Sequence, residues 1–151
     1  MKIKKCIEKT YCLYASEWHL ALMLLPFINE KLCDKDRIYM KFEKSIEDKI
    51  KQLTGKLELQ KKDEINDLNW NMEINDDDYT PNEKIYIVAG SSKYMNDMNR
   101  IINQYYKDKD CKVKIINCFD ICESDKNGDL SIDKTYDKVL TTKGEAIISS
   151  Q

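Results

Sequence analysis

The segment Tyr11–Cys33 constrains the fold most, because a short apolar run leads through a polar turn into an almost wholly apolar helix. Tyr11–Tyr14 contains β-favouring residues without polar alternation, which is typical of a strand buried on both faces. From Leu20 to Leu25 nearly every residue is apolar, so this helix must be covered on more than one side. A buried strand that leads directly into a buried helix predicts an α/β domain.

The start and the middle of this helix carry specific signals. Ser16 is expected to be the N-cap, because its hydroxyl can accept from the free amides of the first turn, and Glu17 suits the positive end of the helix dipole. Pro26 lacks an amide hydrogen, and its ring clashes with the preceding turn. We therefore expect Pro26 to kink the helix near Leu22 or to split it.

The same supersecondary pattern occurs twice. Arg37–Phe42 reads as a second strand about two dozen residues after the first, which fits a βαβ crossover and predicts a parallel pair. In the second half, the strand Lys84–Ala89 is followed by a small polar turn, a helix and the strand Val113–Phe119. The repeat predicts a three-layer, doubly wound, mainly parallel sheet of Rossmann-like or RecA-like type, formed by one domain that covers residues 1–151.

The remaining segments give weaker expectations. Ser45 and Asp48 resemble a capping box that opens a surface helix ending near Gly55. Residues 56–70 fit either a turn of helix or a short strand, and both alternatives stay open. We expect an acidic solvated connection at 71–83, a short helix from Tyr136 through Leu140, and a last strand at Ala146–Ile148.

Charge and composition exclude several classes of partner. Twenty-five basic against 27 acidic residues give a formal charge of −2, which offers no bulk attraction to nucleic acid or to an anionic membrane surface. The longest apolar run is far shorter than the roughly 20 residues of a membrane span, and no signal-peptide core follows the basic N-terminus. These features predict a cytoplasmic protein with neither nucleic acid nor membrane as a partner.

The six cysteines do not predict a disulfide framework or a metal site. Cys12, Cys33 and Cys118 lie in apolar segments, and a chain of this size does not need bridges, so reduced thiols are expected. There is no C-x-x-C pair and only one histidine, so no metal is predicted. Residues 123–134 imitate an EF-hand loop, but Lys134 stands where the bidentate acid is needed, so calcium binding is not expected.

A phosphate-binding loop of the nucleotide hydrolases is also missing. Thr54-Gly55-Lys56 is followed by Leu57, where a metal-binding hydroxyl would be required. Hydrolysis of nucleoside triphosphates by the usual mechanism is therefore not expected, and the sequence identifies no cofactor.

The candidate site follows from the fold. Ligands of open parallel sheets bind beyond the carboxyl ends of the strands, where helix N-termini present free amides. The turns that follow Tyr11–Tyr14, Lys84–Ala89 and Val113–Phe119 should meet there. The candidate ligand-binding residues in these turns are Ser16, Glu17, Trp18, His19, Gly90, Ser91, Ser92, Cys122 and Glu123.

Each candidate also has a structural explanation. His19 could be a general base or ligand contact, or a partly buried structural histidine. Gly90-Ser91-Ser92 could cradle an anion, although a small residue with serine caps begins many helices. Cys122 could be a thiol nucleophile, but the carboxylates of Asp120 and Glu123 would oppose a thiolate.

The order of His19, an apolar helix with Pro26-Phe27-Ile28, and a polar turn before Arg37–Met40 resembles the MEDS (methanogen/methylotroph DcmR sensory) group of prokaryotic sensory domains. The resemblance covers about residues 10–50. It implies a RecA-like α/β core without a working P-loop, in a cytosolic module that senses a small molecule or signal. His19 matches the histidine position of that family, but the chain has no recognisable DNA-binding or kinase segment.

Three functions are consistent with these features. The first is a signal- or small-ligand-binding α/β domain that acts through a protein partner or by self-association. The second is a small enzyme that uses Cys122 or His19 at the carboxyl edge of the sheet. The third is a structural interaction protein with an exposed apolar patch around Trp70 or Tyr105-Tyr106.

Overall fold

A computed structural model describes residues 7–70, 83–122 and 136–148, and the statements below concern these residues. The elements in chain order are β1 (Ile7–Tyr14), α1 (Glu17–Cys33), β2 (Arg37–Phe42), α2 (Glu47–Lys56), α3 (Lys62–Asn66), β3 (Asn69–Trp70), β4 (Lys84–Ala89), α4 (Ser92–Tyr105), β5 (Val113–Asp120), β6 (Lys138–Thr141) and β7 (Gly144–Ile147).

The strands form one sheet in the order β3-β2-β4-β5-β1-β6-β7. Every neighbouring pair is parallel except β6 and β7, which are antiparallel. The prediction of a mainly parallel α/β sheet is confirmed, and the antiparallel hairpin at one edge makes the sheet mixed.

Helices cover both faces of the sheet. Alternate residues of β4 face opposite helical layers. Ile85 and Ile87 belong to the core cluster that includes residues of α1, α2 and α3. Tyr86 and Val88 pack with α4 on the other face. All six residues of β4 are buried, as expected for a central parallel strand covered on both faces. The predicted three-layer, doubly wound arrangement of Rossmann-like type is therefore confirmed.

The expectation that β1 and β2 form a parallel pair is wrong, because β4 and β5 lie between them. β1 pairs with β5 and β6, whereas β2 pairs with β4 and β3. Neighbouring strands lie about 4.8 Å apart, so β1 and β2 are about 14 Å apart. α1 has 17 residues and is therefore about 25 Å long, so the connection can pass over two strands. The second predicted pair, β4 with β5, is correct.

α1 begins as the sequence predicts and continues through Pro26. The Ser16 hydroxyl accepts a hydrogen bond of 3.1 Å from the His19 amide, which confirms Ser16 as the N-cap. The predicted possibility of a split helix is wrong, because α1 is continuous from Glu17 to Cys33. Leu22, whose carbonyl loses its partner at Pro26, lies on the exposed side together with Pro26. Water can satisfy that carbonyl, so the proline does not end the helix.

Two further expectations are corrected, and the alternatives left open for residues 56–70 are settled. The predicted capping box is absent, since α2 begins after Ile46 and the Ser45 hydroxyl accepts from the Glu47 amide at 3.1 Å. Residues 56–70 contain both the short helix α3 and the two-residue strand β3. The helix expected from Tyr136 through Leu140 is instead β6, because pairing with β1 buries Leu140 beside Cys12.

Some predictions lie outside the described residues. The acidic connection is described only at Glu83, and the EF-hand-like segment 123–134 is not described. The last strand is found at β7, slightly earlier than expected, with a turn before Gly144. None of the helices in the three described ranges combines the length and the apolar character that crossing a bilayer requires.

An ion pair to the buried Lys114 connects the β6–β7 hairpin to the rest of the sheet. The Lys114 ammonium lies 2.7 Å from both carboxylate oxygens of Glu145 and 3.3 Å from Glu8. The Thr10 hydroxyl donates to Glu145 at 2.8 Å. Burial opposes the ionised carboxylate, but these partners outweigh it and lower the pKa of Glu145. The hairpin therefore depends on a charge in β5, two strands beyond β6.

Candidate functional site

A pocket of about 620 Å³ opens at the carboxyl edge of the sheet, where β1, β2, β4 and β5 end. This volume falls within the usual range for small-molecule sites. Its apolar lining residues are Leu20, Phe42, Ile46, Ala89, Met95 and Phe119. Its polar lining residues are Tyr14, Glu17, Glu43, Lys44, Ser91, Ser92, Lys93 and Asp120. Most of the apolar residues are buried, so a ligand there would contact both the core and charged groups.

The topology explains why the pocket opens at this point. β2 and β4 are neighbours, but the chain leaves β2 for α2 on one face of the sheet and leaves β4 for α4 on the other face. Two adjacent strands whose connections diverge in this way leave a crevice beyond their carboxyl ends. The pocket is thus a consequence of the strand order.

The Glu43 side chain packs closely against Gly90 at this edge. A Cβ atom at Gly90 would lie 2.7 Å from the Cβ of Glu43 and 2.8 Å from a ring carbon of Tyr94. The Ser91 amide donates a 2.8 Å hydrogen bond to the Glu43 carboxylate. Glycine at position 90 thus allows a carboxylate from the end of β2 to reach the start of α4, where the helix dipole favours negative charge.

Some of the groups at Gly90, Ser91 and Ser92 that were expected to bind an anion already make hydrogen bonds within the protein. The Ser91 hydroxyl accepts from the Tyr94 amide at 3.2 Å, so Ser91 is the N-cap of α4. Its amide is bound to Glu43. Ser92 and Lys93 are exposed, and neither side chain makes a hydrogen bond or ion pair with the residues that the structure describes.

Glu17 lines the pocket with two lysine partners. Its carboxylate lies 2.8 Å from the Lys49 ammonium and 3.5 Å from that of Lys44. The hydrogen bond from Lys49 and the nearby positive charges lower the pKa of Glu17. Glu17 therefore stays ionised, and its negative charge is compensated within the protein.

The neighbouring candidates on α1 do not line the pocket. Ser16 is occupied with the helix cap, and the Nδ1 atom of His19 accepts a 3.0 Å hydrogen bond from the Ala15 amide. This bond places the proton of a neutral His19 on Nε2. Trp18 is 42% exposed, and the Lys49 ammonium lies 5.7 Å from its ring centroid. These three side chains stabilise or cover the start of α1.

Cys122 is exposed and lies next to the pocket without lining it. Its amide donates to the Asp120 carboxylate at 2.8 Å, which closes a tight turn after β5. The thiol makes no hydrogen bond with His19 in the described chain. Glu123 lies outside the described residues.

Tyr14 and Asp120 were not among the candidate ligand-binding residues, yet they line the pocket as partners at the ends of β1 and β5. Burial, followed by the negative charge of Asp120, raises the pKa of Tyr14 well above its ordinary value. Tyr14 therefore remains a neutral phenol that can donate a hydrogen bond. Glu43 was also missed. The rule that ligands bind beyond the carboxyl ends of the strands would have included it if β2 had been known to be the neighbour of β4.

The described residues hold no group of three or more histidine, cysteine, aspartate or glutamate side chains placed to bind a metal ion. The cysteines of the described ranges are free thiols. Cys12 and Cys118 are partners in the β1–β5 register, and both are fully buried. Contact with Cys12 and burial raise the pKa of the Cys118 thiol, which disfavours a reactive thiolate there.

Comparison of the chain with models of protein families, with curated proteins and with solved structures finds no match.

Proposed function

We propose that this protein is a small-ligand-binding, signal-sensing α/β domain that binds its ligand in the pocket at the carboxyl edge of β1, β2, β4 and β5. In this proposal the domain acts in the cytoplasm through a protein partner or a second copy of itself. The observation that carries the proposal is the pocket itself, which combines a buried apolar lining with charged groups at a crevice between diverging connections. The resemblance of residues 10–50 to the MEDS sensory group points to the same role.

The enzyme alternative receives less support from the geometry. A thiol nucleophile needs a base within hydrogen-bonding reach. The contact that His19 makes through Nδ1 is with the Ala15 amide, and Cys122 contacts Asp120 through its backbone. Neither side chain lines the pocket.

The aromatic residues named for a purely structural role belong mostly to the core. Trp70 packs edge-on against Phe42, with ring centroids 5.2 Å apart. Tyr106 is buried, and its hydroxyl is hydrogen-bonded to that of Tyr86. These contacts favour ligand binding over an apolar docking patch at Trp70 or Tyr106.

A ligand screen with a blocked pocket tests the proposal. Thermal-shift and calorimetric screening of the wild type against nucleotides and metabolites should give at least one saturable ligand. Ser92→Trp places a large ring at the pocket lip and should abolish that binding. Asn103→Trp, at an exposed position of the same helix away from the pocket, should retain it. A flat screen, or equal binding by both variants, would contradict the proposal.

A further inference from the structure

The N-terminus of α4, where a phosphate would be expected to bind, is partly occupied by the protein's own groups. Anions bind at the N-termini of helices through free backbone amides. At the start of α4, the Ser91 amide instead donates to the Glu43 carboxylate at 2.8 Å. No described lysine or arginine forms an ion pair with Glu43, so its negative charge would repel a phosphate dianion at this position.

The same pocket contains hydrogen-bond donors that the protein does not use. The Lys93 ammonium and the Ser92 and Tyr14 hydroxyls line it, and none of them has a hydrogen bond or ion pair within the described parts of the chain. A lysine ammonium can only donate, and a neutral tyrosine or serine can donate as well. These groups suit a carboxylate on the ligand.

The same pocket also has carboxylates in its lining, which would attract a positively charged group. Glu43 and Asp120 each have one carboxylate oxygen bound to a backbone amide, at 2.8 Å from Ser91 and from Cys122. These hydrogen bonds fix the two carboxylates in orientation. An ammonium group is the natural partner of such fixed acceptors.

The space between the charged groups is apolar. Leu20, Phe42 and Met95 are almost completely buried and line the pocket, and Phe119 adds a half-buried ring. Because Lys44 and Lys49 compensate Glu17, the charges around the opening are nearly balanced. A ligand with one sign of charge would meet a repulsive group as well as an attractive one.

We infer that the ligand is a zwitterion with an apolar side chain, which is the chemistry of an apolar α-amino acid. Its carboxylate contacts Lys93, Ser92 and Tyr14, its ammonium contacts Glu43 and Asp120, and its side chain lies on the apolar lining. This inference rests on the proposed function of the same pocket, and it replaces the phosphate ligand that the glycine-serine turn alone would suggest.

Titration calorimetry with matched analogues tests the inference. L-Leucine, L-methionine and L-phenylalanine serve as zwitterions, isopentylamine lacks the carboxylate of leucine, and 4-methylpentanoate lacks its ammonium. At least one amino acid should bind, and for leucine each analogue should bind about tenfold more weakly, since each loses a charge-assisted contact. Tighter binding of AMP or inorganic phosphate than of every amino acid would overturn the inference.

Two charge-removing variants assign the contacts. Lys93→Gln should weaken the binding of the amino acid and of 4-methylpentanoate but leave isopentylamine unchanged. Glu43→Gln should weaken the amino acid and isopentylamine but not 4-methylpentanoate, and its amide oxygen can still accept from Ser91. Lys107→Gln, at an exposed lysine just beyond the other end of α4, should change nothing. Equal effects of both variants on all three ligands would contradict the assignment.

Failure of this inference can be distinguished from failure of the proposed function. If another ligand binds and Ser92→Trp abolishes its binding, the pocket is a ligand site and the amino-acid inference alone is wrong. If neither the amino acids nor the wider screen gives a ligand, both proposals are wrong.

Discussion

At the scale of single residues, Gly90 is the one glycine of the described ranges at which an added Cβ atom would meet other atoms within 4 Å. The Glu43 side chain lies so close to the Gly90 backbone that a Cβ atom at position 90 would overlap with it. The glycine-serine turn was visible in the sequence, but the sequence could not show that a glutamate from another strand would reach it. The choice of glycine is therefore set by a long-range contact, in addition to the local turn.

Gly90→Ala should destabilise the protein by about 1–3 kcal/mol, because the added methyl group forces Glu43 or Tyr94 to move. Urea denaturation followed by circular dichroism measures this change. Gly55→Ala is the matched control, since an added Cβ in α2 meets no atom within 4 Å. It should leave the stability unchanged or raise it by up to about 1 kcal/mol. Equal effects at the two glycines would refute the packing argument.

At the scale of elements, the β6–β7 hairpin shows how tertiary contacts override a local pattern. Residues 136–140 gave a weak helical signal, yet Lys138–Thr141 extends the sheet because β1 offers a free edge beside a buried core. Glu145 then anchors the hairpin through Lys114, a residue of a different strand. Neither the free edge of β1 nor Lys114 lies in the local sequence around residues 136–147, so local sequence patterns cannot predict this hairpin.

The Lys114–Glu145 pair should make the free energy of unfolding depend on pH in the acidic range. The folded-state pKa of Glu145 lies below its unfolded value, so the pair stabilises the fold fully at pH values above the unfolded pKa. This contribution is lost as the pH falls through the lower, folded pKa. Glu145→Gln should cost about 3 kcal/mol at pH 7, because it leaves Lys114 buried without its main counter-ion.

The measurement is a series of urea denaturation curves of both proteins between pH 7 and pH 3. The difference between wild type and Glu145→Gln should shrink as the pH falls. Glu47→Gln removes the exposed i,i+4 pair with Lys51 and should cost less than about 0.5 kcal/mol at any pH in this range. A difference at Glu145 that stays constant with pH would show that the ion pair is not its source.

At the scale of the whole molecule, the sequence was sufficient to predict the three layers and the parallel strands, and the pocket lies at the edge of the sheet where a site was expected. Apolar runs such as Lys84–Ala89 indicate burial on both faces, and strand-helix alternation indicates the crossover. The order of the strands in the sheet could not be predicted. The length of a crossover connection limits the distance between the two strands that it joins, but it does not specify which strand pairs with which. Glu43 was missed for this reason, whereas Glu17 and Ser91 follow strands that were already considered.

The strand order also predicts a gradient of local stability. β4 is buried along its whole length in the middle of the sheet, whereas β7 is a four-residue edge strand with an exposed Ile147. Native-state hydrogen exchange should therefore protect the amides of β4 to the level of global unfolding and those of β7 least among the strands longer than two residues. Comparable protection of β7 and β4 would contradict this prediction.

The separation of β1 from β2 by two later strands has a consequence for biosynthesis. When the ribosome has released β1, α1 and β2 but none of the later strands, both strands of this unit are still without the neighbours they have in the finished sheet. The β1-α1-β2 unit therefore stays incomplete, with the apolar helix α1 uncovered, until Val113–Asp120 emerges and pairs with β1. A chaperone that holds apolar helices would find its longest opportunity during that interval.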